Sequence, residues 1–323
     1  MNISDLELVE RALILDKYAI SLLISLFESQ LETHLPRRIA VMEILRNRPD
    51  RKQAVLLGLT GTPGSGKSSL LSTCMPRLLE LNHSLSIAVI AVDPSSPLSG
   101  GALLGDRTRM RPSPHDDRLF FRSQASQLQS GGLSPSTFQV CRLLACLFDC
   151  VFVETVGVGQ SEADIRHLTD HVFLVLQPLG GDNVQFLKAG IMEIPHAFIV
   201  NKCDDPSAQS TYHMLSASLR LARPGEKNPV PIYRVSARSG EGIDDLCRAF
   251  LDLIDSSQSA DIFSKEAHHF SKWVEEEWGK AGRRFLAEQG GAQQYVTAFG
   301  GFEASQSSFA LDLLAQWAPT RHS

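Results

Sequence analysis

The stretch Gly61-Thr62-Pro63-Gly64-Ser65-Gly66-Lys67-Ser68 limits the possible folds of this chain more than any other segment. It lies between the apolar, β-branched run Ala54–Thr60 and a helical stretch, Ser69–Leu81, and it fits G-x-x-x-x-G-K-[ST], the phosphate-binding loop. A loop that wraps a triphosphate must turn its N–H groups inward, and glycines allow that close approach and the dihedrals it needs. The helix that follows, opening at Ser69, aims its positive dipole end at the phosphates. Lys67 then reaches the β- and γ-phosphates, and the Ser68 hydroxyl serves Mg²⁺. The strand–loop–helix context separates this loop from a chance glycine turn carrying a surface lysine.

At 323 residues the chain can bury one good core with smaller units appended. Charged residues make up 21% and hydrophobic ones 43%, a soluble globular balance, and the net charge of −5 argues against a nucleic-acid partner. None of the six cysteines forms a C-x-x-C pair. Cys141, Cys146 and Cys150 do not share one helical face, so small buried thiols in a reducing compartment are expected rather than a metal cluster. No apolar stretch approaches the length of a membrane span, and Ala19–Phe27 is short and broken by Ser21 and Ser25. The acidic start (Asp5, Glu7, Glu10) is unlike a targeting peptide, and a cytoplasmic location is the expectation.

Three segments are expected along the chain: an N-terminal helical extension (1–50), a nucleotide-binding domain (51–256) and a C-terminal helical arm (257–323). Ser4-Asp5-Leu6-Glu7 reads as a capping box, and helical patterning continues to about Asn47. From Lys52, β-branched runs alternate with amphipathic stretches: Ala54–Thr60, Ser86–Val92, Leu119–Arg122, Val151–Glu154, His171–Gln177, His196–Asn201 and Pro231–Ser236. This pattern predicts an α/β fold, a mostly parallel sheet with helices on both faces, and the phosphate site at the carboxyl ends of the strands. The helix Gly242–Ile254 closes the domain. In the tail, Phe263, Ala267, Phe270, Val274, Trp278, Ala281 and Phe285 recur at helical spacing.

Two further motifs name the base and the metal. Asn201-Lys202-Cys203-Asp204 follows an apolar strand. Guanine presents N1–H and a 2-amino group on one edge, and the Asp204 carboxylate accepts both. Adenine offers neither and leaves a polar group unpaired, at a cost of about 1–3 kcal/mol. Asn201 can bond the other side of the base and tie loops together, the Lys202 stem can cover the ring, and Ser236-Ala237 can supply a backbone N–H to the base oxygen. GTP is therefore favoured over ATP. Val151-Phe152-Val153-Glu154-Thr155-Val156-Gly157 is a strand ending in an acid with glycine three positions on, where a phosphate-loop protein holds Mg²⁺ and contacts the γ-phosphate. Val158 stands where a water-positioning glutamine is usual, so slow basal hydrolysis is expected.

Together these residues resemble the branch of P-loop GTPases that carries glutamate in the third nucleotide motif. Val92-Asp93-Pro94-Ser95-Ser96-Pro97, Gly100–Met110 and Glu154–Glu162 narrow the resemblance to the MeaB/ArgK/MMAA family, over roughly Lys52–Ile254. That family comprises GTPase chaperones of adenosylcobalamin-dependent acyl-CoA mutases such as methylmalonyl-CoA mutase. The resemblance implies that Asp93 and Asp106 approach Mg²⁺ beside Ser68 and Glu154. It implies that Gly157 senses the γ-phosphate and that Asp182, Gln185 and Lys188 relay nucleotide state to the mutase. It also implies that the tail is a dimerisation arm, although the same aromatic stripe could pack on the chain's own body. Adenosylcobalamin is expected only through the partner mutase, because no histidine here carries the D-x-H-x-x-G signature.

Three other functions compete with a GTP-driven mutase chaperone. A metallochaperone GTPase needs a Cys/His cluster near its switches. A kinase or transport ATPase needs adenine specificity, which Asp204 opposes. A scaffold with a dead site sits poorly with intact Lys67, Ser68 and Glu154.

Overall fold

The computed structural model describes residues 4–50, 53–94, 116–126, 133, 135–155, 161–178, 195–222, 229–256 and 262–317. Two compact units emerge from it. One comprises 1–51, 135–147 and 260–323, and the other 52–134 and 148–259.

The second unit is built on seven strands: β1 (Val55–Gly61), β2 (Ile87–Pro94), β3 (Leu119–Ser126), β4 (Cys150–Glu154), β5 (His171–Leu176), β6 (Ala197–Val200) and β7 (Ile232–Arg234). Their order is β3-β2-β4-β1-β5-β6-β7. Every neighbouring pair runs parallel, so the expectation of a mostly parallel sheet is met throughout the described strands. Each strand coincides with one of the seven β-branched runs to within a few residues. A strand covered on both faces needs no polar alternation, and β1 is accordingly buried along its whole length.

Side-chain parity divides the two faces. Leu57, Leu59, Val89, Phe152, Phe173 and Ile199 pack with Leu70, Cys74 and Leu78 of α4 (Lys67–Leu81), the helix leaving the phosphate loop. The same cluster takes in Leu246 and Phe250 of the closing helix, Ile243–Asp255. On the opposite face Leu174, Leu176, Phe198 and Val200 pack against Leu215 and Leu219 of the helix Ala208–Ala222. There too Gly58 lets the helix Ser161–Leu168 come close, since a β-carbon on it would lie 2.6 Å from the Ile165 side chain. β1 and β4 are central and adjacent, in register from Val55↔Cys150 to Leu59↔Glu154, which sets the phosphate loop beside Glu154.

The first unit is helical. It gathers α1 (Asp5–Leu13), α2 (Lys17–Glu28), α3 (Leu35–Arg46), α5 (Pro135–Ala145) and the C-terminal helices Glu266–Glu288, Ala292–Phe299 and Phe302–Trp317. Ser4 caps α1 by accepting the Glu7 N–H, as its sequence predicts. The fully buried Arg142 guanidinium of α5 bonds Glu266 and Glu303, and Arg46 reaches Glu266 at 2.6 Å. Burial of this kind requires paired charges. The pairs join helices that come from the beginning, middle and end of the chain.

The aromatic stripe of the tail packs within this unit. Phe270 is buried against Tyr295, Phe302 and Phe309, and Phe285 against Phe309. An intramolecular neighbour therefore covers much of the face that the resemblance assigned to dimerisation. Phe263 has no described side chain. All six cysteines are free. Burial raises the Cys141 thiol to about 12 and the Cys150 thiol well above its ordinary value, so both act as small apolar groups. Among the described residues no helix is long and apolar enough to cross a membrane.

Candidate nucleotide site

The site lies at the carboxyl ends of β1, β4 and β6. β1 delivers Gly61 at φ 145°, where a β-carbon would collide with the Val175 carbonyl at 2.1 Å, so only glycine lets the loop leave the sheet there. Gly66, at φ 86°, is the N-cap of α4. Thr62 and Ser65 are buried in the loop, and Ser65 N–H closes a turn onto Thr62 O at 3.2 Å. Pro63 and Gly64 are exposed at its tip, as is Ser69 at the start of the helix.

Lys67 is 7% exposed, and its ammonium donates to Gly61 O at 2.8 Å and Thr62 O at 3.1 Å. The cation is thus held at the centre of the loop by backbone dipoles. Ser68 Oγ donates to Glu154 Oε1 at 2.7 Å. A hydroxyl and a carboxylate of two different elements meet here, a pairing of hard oxygen donors that suits a small divalent cation. Asp93 lies in β2, two residues beyond Ala91, which is in register with Glu154; only its backbone is described. Asp106, Gly157, Asp182, Gln185 and Lys188 fall outside the described residues.

Asn201 is the hub of the site. It is 1% exposed and follows β6. Its Nδ2 donates to Ser65 O at 2.8 Å and to Gly66 O at 3.4 Å. Its Oδ1 accepts from Lys202 N–H at 2.8 Å and from Ala237 N–H at 3.3 Å. One amide therefore ties the phosphate loop to both base-side loops. Gly66 makes this possible, because a β-carbon there would sit 2.5 Å from Asn201 Nδ2.

Lys202 adopts φ 58°, unusual for a residue with a side chain, and its ammonium donates to Gly64 O at 2.9 Å and to Gln177 Oε1 at 3.0 Å. Asp204 is exposed, and the Ser236 hydroxyl bonded to it holds its carboxyl below the usual range, so it is an acceptor at neutral pH. Ser236 N–H donates to Glu241 O at 2.9 Å and Ala237 N–H to Asn201 Oδ1 at 3.3 Å.

Sequence reasoning missed Gln177 altogether. No motif spans the positions 177, 202 and 64, and only strand order brings them together.

This arrangement gathers the Gly61–Ser68 loop, the Ser68–Glu154 oxygen pair and the Asp204 carboxylate at the carboxyl ends of the strands. A model of the family described as methylmalonyl-CoA mutase-associated GTPase MeaB matches residues 20–280. The chain belongs to the MeaB family of GTPases. As a member of that family it is a GTP-hydrolysing enzyme. A protein of Pyrococcus horikoshii, whose name assigns it provisionally to the GTPases, is 40% identical over 244 residues, 74% of each chain. GTPase ArgK of Escherichia coli is 38% identical over 203 residues, 61% of this chain and 60% of that one. The mouse mitochondrial methylmalonic aciduria type A homolog is 38% identical over 197 residues, 59% of this chain and 46% of its own length. Among solved structures, one titled LAO/AO transport system kinase has a TM-score of 0.63 over 98% of both chains at 23% identity, which establishes the shared fold.

Proposed function

We propose that this MeaB-family GTPase is a nucleotide-driven chaperone of a cobalamin-dependent acyl-CoA mutase of the methylmalonyl-CoA mutase type. It gates loading of adenosylcobalamin into the mutase and protects or reactivates the loaded enzyme. The cofactor reaches this chain only through the mutase, and the working form is a homodimer in the cytoplasm. The family description and the mouse relative's name support the mutase link. The observation that carries the mechanism is the Asn201 hub, which makes the phosphate loop and the base-side loops one mechanical unit.

The residues divide the work. Asp204 accepts from the donor edge of guanine and sets base choice. Lys202 lies along the base pocket, fixed at its ammonium. Lys67 is placed to leave the Gly61 and Thr62 carbonyls for the β- and γ-phosphate oxygens, where its charge stabilises the transferring phosphoryl group. Ser68 and Glu154, with Asp93 and Asp106 as the family resemblance implies, would hold Mg²⁺, which when bound neutralises charge on the phosphate oxygens. Gly157 offers a backbone N–H to the γ-phosphate, and Asp182 and Lys188 carry the loss of that phosphate to the partner. No glutamine stands at 158 to orient the attacking water, so basal turnover is slow and the mutase completes the site.

The test is phosphate release with GTP and with ATP, with and without purified acyl-CoA mutases. Acceleration of GTP turnover by one mutase, and little use of ATP, is the expected result. Equal ATP use would remove the guanine assignment, and indifference to every acyl-CoA mutase would remove the partner.

A further inference from the structure

Lys202 is anchored at its backbone and at its tip. Its N–H is held by Asn201 Oδ1, and its left-handed φ of 58° aims the side chain back toward the phosphate loop. An ammonium on a four-carbon stem has wide rotamer freedom, so a single acceptor leaves it only loosely tethered. Here there are two acceptors, Gly64 O at 2.9 Å and Gln177 Oε1 at 3.0 Å.

Gln177 comes directly after β5, the strand that separates the phosphate-loop strand β1 from the base-side strand β6. Its amide oxygen also runs along the loop tip, because a β-carbon on Gly64 would stand only 3.9 Å from it. A residue at this one strand end can therefore address the phosphate loop and the base loop together. The motifs that define the nucleotide site place no requirement on position 177.

We propose that Gln177 is a positioning residue for the guanine nucleotide. Its amide oxygen fixes the Lys202 ammonium against Gly64, lays the lysine stem across the site as a wall for the base, and thereby sets how long GDP or GTP stays bound. The proposal rests on the site assignment made above and adds to it a residue that acts through Lys202 rather than on the reacting phosphate.

The experiment uses the full chain loaded with a fluorescent N-methylanthraniloyl GDP, chased with excess GDP in a stopped-flow instrument. The variants are Gln177→Leu, Lys202→Met and the pair together, each checked for an intact melting transition. Gln177→Leu speeds GDP release about three- to tenfold, the loss expected for one partly solvated bond to a charged donor. It raises KM for GTP by a similar factor and changes kcat by less than about twofold. Lys202→Met speeds release at least as much, and adding Gln177→Leu to it has no further effect. Release from Gln177→Leu at the parent rate would overturn the proposal. So would a Gln177→Leu effect that persists in full when Lys202 is already Met. If instead Lys202→Met and Asp204→Asn both leave guanine binding untouched, the site assignment itself fails, which separates the two failures.

Discussion

Replacing Asn201 with alanine tests the joint on which the site is built. The side chain makes two bonds at 2.8 Å, to Ser65 O and from Lys202 N–H, and two at 3.3–3.4 Å. The longer pair lies near the limit of hydrogen bonding and adds little. Each short bond, once cut, leaves a poorly solvated backbone partner unpaired, at about 1–1.5 kcal/mol apiece. The expected loss is about 2–3 kcal/mol, which lowers the melting temperature of the sheet unit by roughly 4–12 °C. Because the phosphate loop and the Lys202 loop are no longer in register, GTP affinity falls at least about tenfold, read by calorimetry or fluorescent nucleotide titration. Gly66→Ala attacks the same joint from the other side, through a 2.5 Å clash with Asn201 Nδ2 and a β-carbon at φ 86°. In the double variant the clash is gone, so the two losses add to less than their sum. An Asn201→Ala protein that melts within about 2 °C of the parent and keeps its GTP affinity would refute the argument, since it is too small a change for two broken bonds.

Other outcomes follow from the same geometry. Glu154→Gln keeps an acceptor for Ser68 but removes the charge proposed to hold Mg²⁺, so GTP turnover falls about 10²–10³-fold and more Mg²⁺ is needed for half-maximal rate; a phosphate-release assay over a Mg²⁺ series checks both. Asp204→Asn lowers the preference for GTP over ATP by about ten- to a hundredfold in competition binding, and an unchanged preference would contradict the assigned role. Asp16 caps α2 through Tyr18 and Ala19 and pairs with Arg11, and the Arg11 hydrogen bond first of all holds its carboxyl below the ordinary 3.8. Its folded pKa is depressed, so its stabilisation is complete above the unfolded value and is lost as pH falls through the lowered one. Asp16→Ala should therefore cost about 1 kcal/mol at pH 7, and the gap from the parent should close in strongly acidic buffer, as followed by urea unfolding at stepped pH.

The sequence alone determined what rests on neighbouring residues. Gly61–Ser68 after a β-branched run specified a strand, a phosphate loop and a helix, because glycine torsions and strand periodicity are local properties. The seven apolar runs became the seven strands, and Glu154 and Asn201–Asp204 fell at strand ends as their spacing required. The tertiary structure decided which distant partners meet. Residue 201 finds residues 65, 66 and 237, and Gln177 finds Lys202, only because β1, β5 and β6 lie side by side. α5 lies between two strands of the sheet unit in sequence, yet Arg142 buries its charge against Glu266 and Glu303 in the helical unit. The stripe of Phe270 and Phe285 announced an apolar face, and Phe309 in the same chain turned out to cover it. Periodicity records that a face avoids water. Which surface covers it depends on contacts between residues far apart in the chain, and those exist only once the backbone has been brought together.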